Sequence, residues 1–505
     1  GLIFVFVLGM ASTMRAQAQS QAQTKADWSS LDQYIHSSMK DWKVPGAAVA
    51  IVHDQSVVFM KGFGVRDIRT GKPVTADTLF DIGSCTKAFT AASIAMLVDE
   101  GKMKWDGRVD EYVPFFHLHD PLADEYVTLR DLLSHRTGLP GTDLIWYGAP
   151  YTREEIIRRM RYAKPDAGFR AKFQYQNVMF VVAGYAVGQV SGGTWDEFVK
   201  QHIFAPLGMT DSDTSAVDAQ RSPDFATPHR EKPDGAVEAI PWRNIDDAGP
   251  AGSINSSVRD MAKWITLQLN DGVYEGKRLI SAKNVEEMHT PQMVIAPKGE
   301  LPQVFFPDSK LLSYGLGWFI EDYRGHQLIL HPGDIDGFSA MVALIPDLHT
   351  GFVVLVNLGN TYRQVLSYHI ADTLLHLPPV DWSARFHKLE TEFNAAQKKR
   401  EAAWKAKRNP NTHPSLPLAD YAAVYRSRLY GDADVSLKDG KLVLLFHGSS
   451  SPLEHFQYDT FLANLHMGGE SRLTFALDAD ATVSQFSMAG ARFKRVKKAA
   501  GAPAP

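Results

Sequence analysis

The sequence predicts an α+β protein: an antiparallel sheet flanked by helices and joined to an all-helical lobe, followed by a small all-β, barrel-like C-terminal domain. Three observations carry this expectation. Strand-type apolar runs lie at both ends of a long first region, Ala47 to Val52 and Val57 to Phe63 early, then His326 to Leu330, Phe338 to Ile345 and Gly351 to Leu358 late. Between them, residues 115–245 show mostly helical periodicity broken by Gly and Pro, so the sheet must be closed by N- and C-terminal segments. From Leu416 the texture changes to short alternating runs that continue to Phe493. The expected domains are a leader over 1–18, a first domain over 24–378, a charged helical linker over 379–415 and an all-β accessory domain over 416–497.

The elements follow in order. Leu2 to Ala11 is an unbroken apolar run, and Met14-Arg15-Ala16-Gln17-Ala18 has the small-x-small form of a signal-peptidase site. Ten apolar residues fall short of the ~20 that span a bilayer. The reading is an exported chain, periplasmic or secreted, with a mature start near Gln19 and no stable membrane span. A retained anchor is the alternative. Asp27 to Trp42 places Leu31, Tyr34, Ile35, Met39 and Trp42 at helical spacing, and Val44-Pro45-Gly46 stops that helix. His53-Asp54-Gln55-Ser56 separates the first two apolar runs as a hairpin turn would. Candidate helices are Leu129 to Ser134, Arg153 to Arg161, Val178 to Val190 and Thr194 to Phe204, and Ser257 caps another through Leu269. The Pro-rich segment Thr290 to Leu312 either roofs a site or crosses the surface. A helix from Arg363 to Leu375 ends before Pro378-Pro379. Residues 381–410 read as a solvated helix, and Asp439-Gly440 between two apolar runs is a hairpin turn.

Composition narrows the function. Lys plus Arg (53) nearly balances Asp plus Glu (57), which gives no hint of nucleic acid as a partner. The one cysteine, Cys85, excludes an intramolecular disulfide and reads as a packed helix residue. His117-Leu118-His119-Asp120 resembles a metal-ligand string, but Pro121 stands where a further acid is needed and no H-E-x-x-H occurs. No metal or cofactor is expected, and a G-x-S-x-G nucleophile elbow is absent.

The stretch richest in chemistry is Leu79 to Gly101. Its apolar lead-in ends at Gly83, and Ser84 opens a helix from Ala88 to Val98. A serine at a helix start has an unpaired N–H beside it and a dipole that favours negative charge. Lys87, three residues on, projects from the same face, so its amine can reach the hydroxyl: a nucleophile with a base beside it. A second S-x-x-K, Ser37 to Lys40, lies mid-helix without a Gly lead-in and is set aside. The S-x-x-K motif calls for a second polar triad and a third-strand motif. Tyr175-Gln176-Asn177 and His331-Pro332-Gly333 offer both.

Taken jointly, these segments resemble the serine β-lactamase/penicillin-binding-protein superfamily, in particular its class C-like and esterase-like branch. The resemblance includes Phe80 to Lys87, Leu132 to Pro140, Tyr175 to Asn177, Pro206 to Thr210, Gly249 to Ser253 and His331 to Phe338, in family order from about residue 28 to 375. It implies a β-lactamase/DD-peptidase-like fold and a serine acyl hydrolase. Ser84 would be the nucleophile, Lys87 its base or proton relay, and Tyr175 a second general base. Ser84 and Asp334 would supply the oxyanion-hole N–H groups, whatever side chain stands at 334. Gly333 would let substrate approach the strand, and Asn177 would donate to its acyl side. One of the two bases must fall about three units from a pKa near 10 to act at neutral pH, roughly 4 kcal/mol, which burial of Lys87 and coupling to Tyr175 could supply. His331 stands where many β-lactamases carry lysine and would face substrate without a fixed charge. That shifts the expectation toward a small-molecule or peptide ester or amide, D-peptides included. A slow-turnover penicillin-binding or sensor protein and a true class C-like β-lactamase remain the alternatives. Oligomeric state is left open.

Overall fold

The computed structural model describes residues 28–296, 306–465 and 469–496. The expected leader and cleavage site lie outside these residues, as do parts of the Thr290 to Leu312 segment and of the basic C-terminal end. Helix α1 (Trp28–Asp41) buries Leu31, Ile35 and Met39 on one face. The hairpin β1 (Gly46–His53) and β2 (Ser56–Gly64) follows, turning at Asp54, whose φ is +54°. The apolar helix α2 (Thr86–Asp99) runs through the core, with all residues from Thr86 to Leu97 buried. Across it packs α3 (Asn177–Ser191), while α4 (Val258–Leu269) lies on β1 and on the strand Thr350–Val356 and meets the core helix where Trp264 stacks on Phe89; Ser257 caps α4, accepting from the Asp260 N–H.

The remaining strands of the sheet are β3 (Met293–Ile295), β4 (Ser309–Tyr314), β5 (Phe319–Tyr323), β6 (His326–Ile335), β7 (Phe338–Ile345) and β8 (Thr350–Val356). The eight strands pair antiparallel throughout in the order β2-β1-β8-β7-β6-β5-β4-β3. N- and C-terminal strands therefore meet at β1 and β8, with Ala47 opposite Val356. Three strands, β3 to β5, were not expected. Strand β5 hides behind Glu321-Asp322, yet Glu321 is buried and accepts from the Tyr368 hydroxyl at 3.2 Å. Strand β6 runs five residues beyond Leu330, through Pro332. A proline is tolerated there because the ladder with β5 ends at Leu330, leaving His331–Ile335 a strand edge on that side.

Helix α5 (Tyr362–Leu374) packs on β7 and β8. The charged segment after it is one helix, α6 (Trp382–Lys405), and the expectation of a solvated linker fails at its start. Trp382 and Phe386 are fully buried against Tyr368, and Trp382 Nε1 donates to Asp372 at 2.7 Å. The C-terminal strands are β9 (Ala423–Ser427), β10 (Gly431–Lys438), β11 (Lys441–Phe446), β12 (Ser449–Pro452), β13 (Glu454–Gln457), β14 (Thr460–Leu465), β15 (Gly469–Leu477), β16 (Val483–Met488) and β17 (Ala491–Arg495). Their order is β12-β11-β10-β9-β17-β16-β15-β14-β13. Only Leu453 separates the two outermost strands in the chain, so the sheet curls into a nearly closed barrel around Tyr425, Phe461, Phe475 and Phe486. Asp439 and Gly440 both take positive φ in the β10–β11 turn, as that dipeptide predicts. Among the described residues, no helix is long and apolar enough to cross a membrane.

Candidate active site

Ser84 sits in a 3-10 turn, Gly83–Cys85, that leads directly into α2. Gly83 has φ +50°, and a side chain there would press on the Asp334 amide. Oδ1 of the Asp81 carboxyl group accepts from the Gly83 N–H at 2.8 Å and fixes the turn from below; burial pushes its pKa up to about 8. Opposite lies the free edge of β6. A Cβ at Gly333 would overlap the Ile82 carbonyl and crowd the Ser84 N–H. The missing side chain at 333 thus serves contact between the serine turn and the strand, where the sequence suggested room for substrate. This contact brings the main chain of Ser84 and Asp334 side by side at the cleft.

Lys87 is buried, and its Nζ has three neighbours: Ser84 Oγ at 2.8 Å, Asn177 Oδ1 at 2.8 Å and the Ala251 carbonyl at 2.7 Å. The rings of Tyr175 and Phe180 pack beside it at 4.8 and 5.4 Å from their centroids. Burial pulls the amine down to about 7, against a smaller opposing effect from Asp143. A neutral amine has two N–H groups and one lone pair. The Asn177 and Ala251 oxygens can accept only, so they take the two N–H groups, and the lone pair faces the Ser84 hydroxyl. Helices α2 and α3 hold the Ala251 carbonyl in place through Pro250: Thr90 Oγ1 donates to its carbonyl at 2.7 Å, and its ring packs on Gly184.

Tyr175 lines the cleft just before α3, on the Ser84 side of it. Burial raises its pKa well above the ordinary phenol value. The expected charge coupling between Tyr175 and Lys87 is not what lowers the lysine; desolvation is. Asn177, expected to donate to substrate, gives its Nδ2 to Asp143 Oδ1 at 3.0 Å and so bridges Asp143 to Lys87. Sequence reasoning missed Asp143, which lies in a loop without a motif.

His331 does not line the cleft. It is fully buried among aromatic rings, with Nδ1 2.7 Å from the Pro332 carbonyl and Nε2 2.8 Å from the Tyr314 hydroxyl. Nδ1 therefore carries the proton and Nε2 accepts. Burial first, then the neighbouring Lys87, pulls its pKa down to about 3, so the ring is neutral. The Asp334 side chain, to which the sequence assigned no role, is engaged: it pairs with Arg363 of α5, which is buried and lines the cleft. The cation absent from position 331 reaches the site from this helix.

These residues border a cleft of about 1020 Å³. Its polar end holds Ser84, Asn177, Asp143, Asp334 and Arg363; its other wall is apolar, with Phe173, Met293, Ile295, Phe306, Leu312 and Phe319. The described ends of the Thr290 to Leu312 segment thus form a wall of the site. Cys85 points away, buried, its thiol donating to the His331 carbonyl at 3.1 Å and pushed up to about 12 by burial. In the string from His117 to Asp120, Asp120 caps the short helix Pro121–Tyr126 and His117 pairs with Asp124. Among the described residues, no group of three or more His, Cys, Asp or Glu side chains could hold a metal ion.

Residues 31–375 match the family model described as Beta-lactamase, and residues 407–499 match a domain of unknown function, DUF3471. An unguisins hydrolase, ungD, from Aspergillus violaceofuscus is 31% identical over 443 residues, covering 81% of this chain and 76% of that protein. Protein flp of Staphylococcus aureus is 26% identical over 67% of this chain and 65% of its own length. Among solved structures, the octameric penicillin-binding protein homologue from Pyrococcus abyssi superposes with a TM-score of 0.62 at 24% identity, covering 92% of this chain and 99% of that one.

Proposed function

The chain belongs to the Beta-lactamase family, and from that premise we propose that it is a serine acyl hydrolase working through an acyl-enzyme at Ser84. The observation that carries this reading is the Lys87 amine, 2.8 Å from the Ser84 hydroxyl, with its two other neighbours both acceptors and its pKa near 7. Lys87 takes the proton as Ser84 Oγ bonds to the substrate carbonyl carbon. The oxyanion that forms lies between the Ser84 and Asp334 N–H groups. When the bond to the leaving group breaks, Tyr175 gives that group its phenolic proton and regains one from Lys87. A neutral phenol suits this relay, since it donates and accepts without ionising at rest. Water then repeats the sequence on the acyl-enzyme, with Lys87 again the proton acceptor.

Esters and amides, D-peptides included, are favoured over β-lactams. Neutral His331 offers no charge to a substrate carboxylate, and the Arg363 guanidinium is already paired with Asp334. The apolar wall suits an acyl or neighbouring group of hydrocarbon character. The hydrolase name of the ungD relative supports turnover over mere acylation.

The test pairs Ser84→Ala with a substrate panel of p-nitrophenyl ester, nitrocefin, D-Ala-D-Ala peptide and D-amino-acid amide. Ser84→Ala should lose more than about 1,000-fold in kcat while keeping its circular dichroism spectrum. The wild type should carry a mass adduct of one acyl group, and the ester should exceed nitrocefin in kcat/KM. Turnover by Ser84→Ala would overturn the mechanism, and faster nitrocefin cleavage would reverse the substrate ranking. A one-equivalent burst followed by negligible steady turnover on every substrate would favour the sensor reading.

A further inference from the structure

The loop that carries Asp143 is held from two sides. Inside, Asp143 Oδ1 accepts from Asn177 Nδ2 at 3.0 Å and from Trp146 Nε1 at 2.9 Å. Outside, two turns of the C-terminal barrel press on the same loop. In the β9–β10 turn, the Tyr430 carbonyl accepts from the Tyr151 hydroxyl at 3.1 Å and from His447 Nε2 at 2.8 Å. His447, in the turn after β11, stands edge-on to Tyr151 with ring centroids 5.6 Å apart and lies against the Leu144 main chain. The open side of Gly148 faces the His447 carbonyl. Alongside, Arg159 Nη1 donates to the Arg428 carbonyl at 3.2 Å and Arg428 Nη2 to the Tyr162 hydroxyl at 2.8 Å. The barrel thus grips both ends of the stretch from Asp143 to Tyr151 and the helix that follows it.

We propose that the barrel positions the active site: His447 and the Tyr430 carbonyl pin the loop from Asp143 to Tyr151, and that loop keeps Asp143 against the Asn177–Lys87 pair. This rests on the reading of Lys87 as the base. The groups facing Lys87 are Ser84, Asn177, the Ala251 carbonyl, Tyr175 and Phe180, together with Cys85, His135 and His331 from the buried side. Burial holds His135 and His331 neutral, so they set no charge beside the amine; Asp143 is the carboxylate that favours its protonated form. If the loop drifts outward, Lys87 loses that support and its pKa falls. A joint that merely glues two domains would leave the titration of Lys87 where it is.

The experiment is the pH profile of kcat/KM on a p-nitrophenyl ester for wild type, Asp143→Asn, His447→Ala, His447→Asn, Tyr151→Phe and the double variant Asp143→Asn/His447→Ala. The wild-type acid limb should lie near pH 7. Asp143→Asn and His447→Ala should each move it down by roughly half a unit or more, with KM within about twofold. The double variant should shift no further than Asp143→Asn alone, because the two act through one contact. His447→Asn, which keeps a donor for the Tyr430 carbonyl, should restore most of the position. An acid limb unmoved or raised in a folded His447→Ala, or shifts that add in the double variant, would overturn the proposal. Should His447→Ala fail to fold, Tyr151→Phe decides alone: a downward shift supports the proposal and an unmoved limb overturns it. Failure of the Lys87 reading itself would show separately, as turnover by Ser84→Ala or as a wild-type profile without that limb.

Discussion

A lysine shut into a core costs stability whenever it must be protonated, and this gives Lys87 two measurable signatures. Its folded pKa, about 7, lies below the ordinary lysine value, so the unfolded chain binds one proton more between about pH 7 and pH 10. The cost is therefore largest at and below pH 7 and fades as pH rises toward 10. Lys87→Met should be inactive, and its stability relative to wild type, measured by urea unfolding, should decline steadily from pH 7 to pH 10. A pH-independent difference would mean that the lysine does not titrate there. Activity should run the other way, with kcat/KM rising through pH 7 to a plateau. At this scale the sequence was most informative where residues lie close along one helix: the three-residue spacing of Ser84 and Lys87 was legible at once. Asp143 and Arg363 were not, because each reaches the cleft from a separate element and no local pattern marks it. For His331 the residue type was visible but its direction was not, since burial behind the strand depends on Tyr314 and Phe319 of strands that were themselves unforeseen.

Among the elements, the meeting of the serine turn and β6 is the most demanding. Backbone touches backbone there, at Ile82, Gly83 and Gly333, so no side chain can move aside to relieve a clash. Gly333→Ala should destabilise by about 3 kcal/mol and lower kcat more than KM, because it pushes the Ser84 and Asp334 amides apart. Wild-type activity in that variant would refute this account of the strand edge. Periodicity foresaw β1, β2, β7 and α4 to within about two residues, since each has an uninterrupted apolar pattern or a side-chain cap. It missed β3 to β5, where buried Glu321 and the glycines around Leu316 disguise the strands, and it read α6 as solvated because two buried aromatics are few among so many charges.

At the scale of the whole molecule, α6 anchors in one body and ends at the other. Its first turns complete the core beneath α5, and its far end stacks Trp404 on Phe456 of the barrel, 4.3 Å between centroids, with Arg472 over the indole at 4.4 Å. Trp382→Ala should destabilise the first body by about 3–5 kcal/mol, the usual cost of deleting a buried large aromatic, and lower the midpoint of urea unfolding. A change under about 1 kcal/mol would show that the helix is peripheral after all. One small feature reaches beyond the enzyme's own chemistry. The chain has a single cysteine, and Cys85 is both sealed in the core and held as a neutral thiol. In the folded state, maleimides and other thiol reagents should therefore leave the native protein untouched. The wild type is then a silent background for spectroscopy: one cysteine introduced on the barrel and one on the helical lobe would take up a dye pair, and the distance between the two bodies could be followed during turnover without first removing anything.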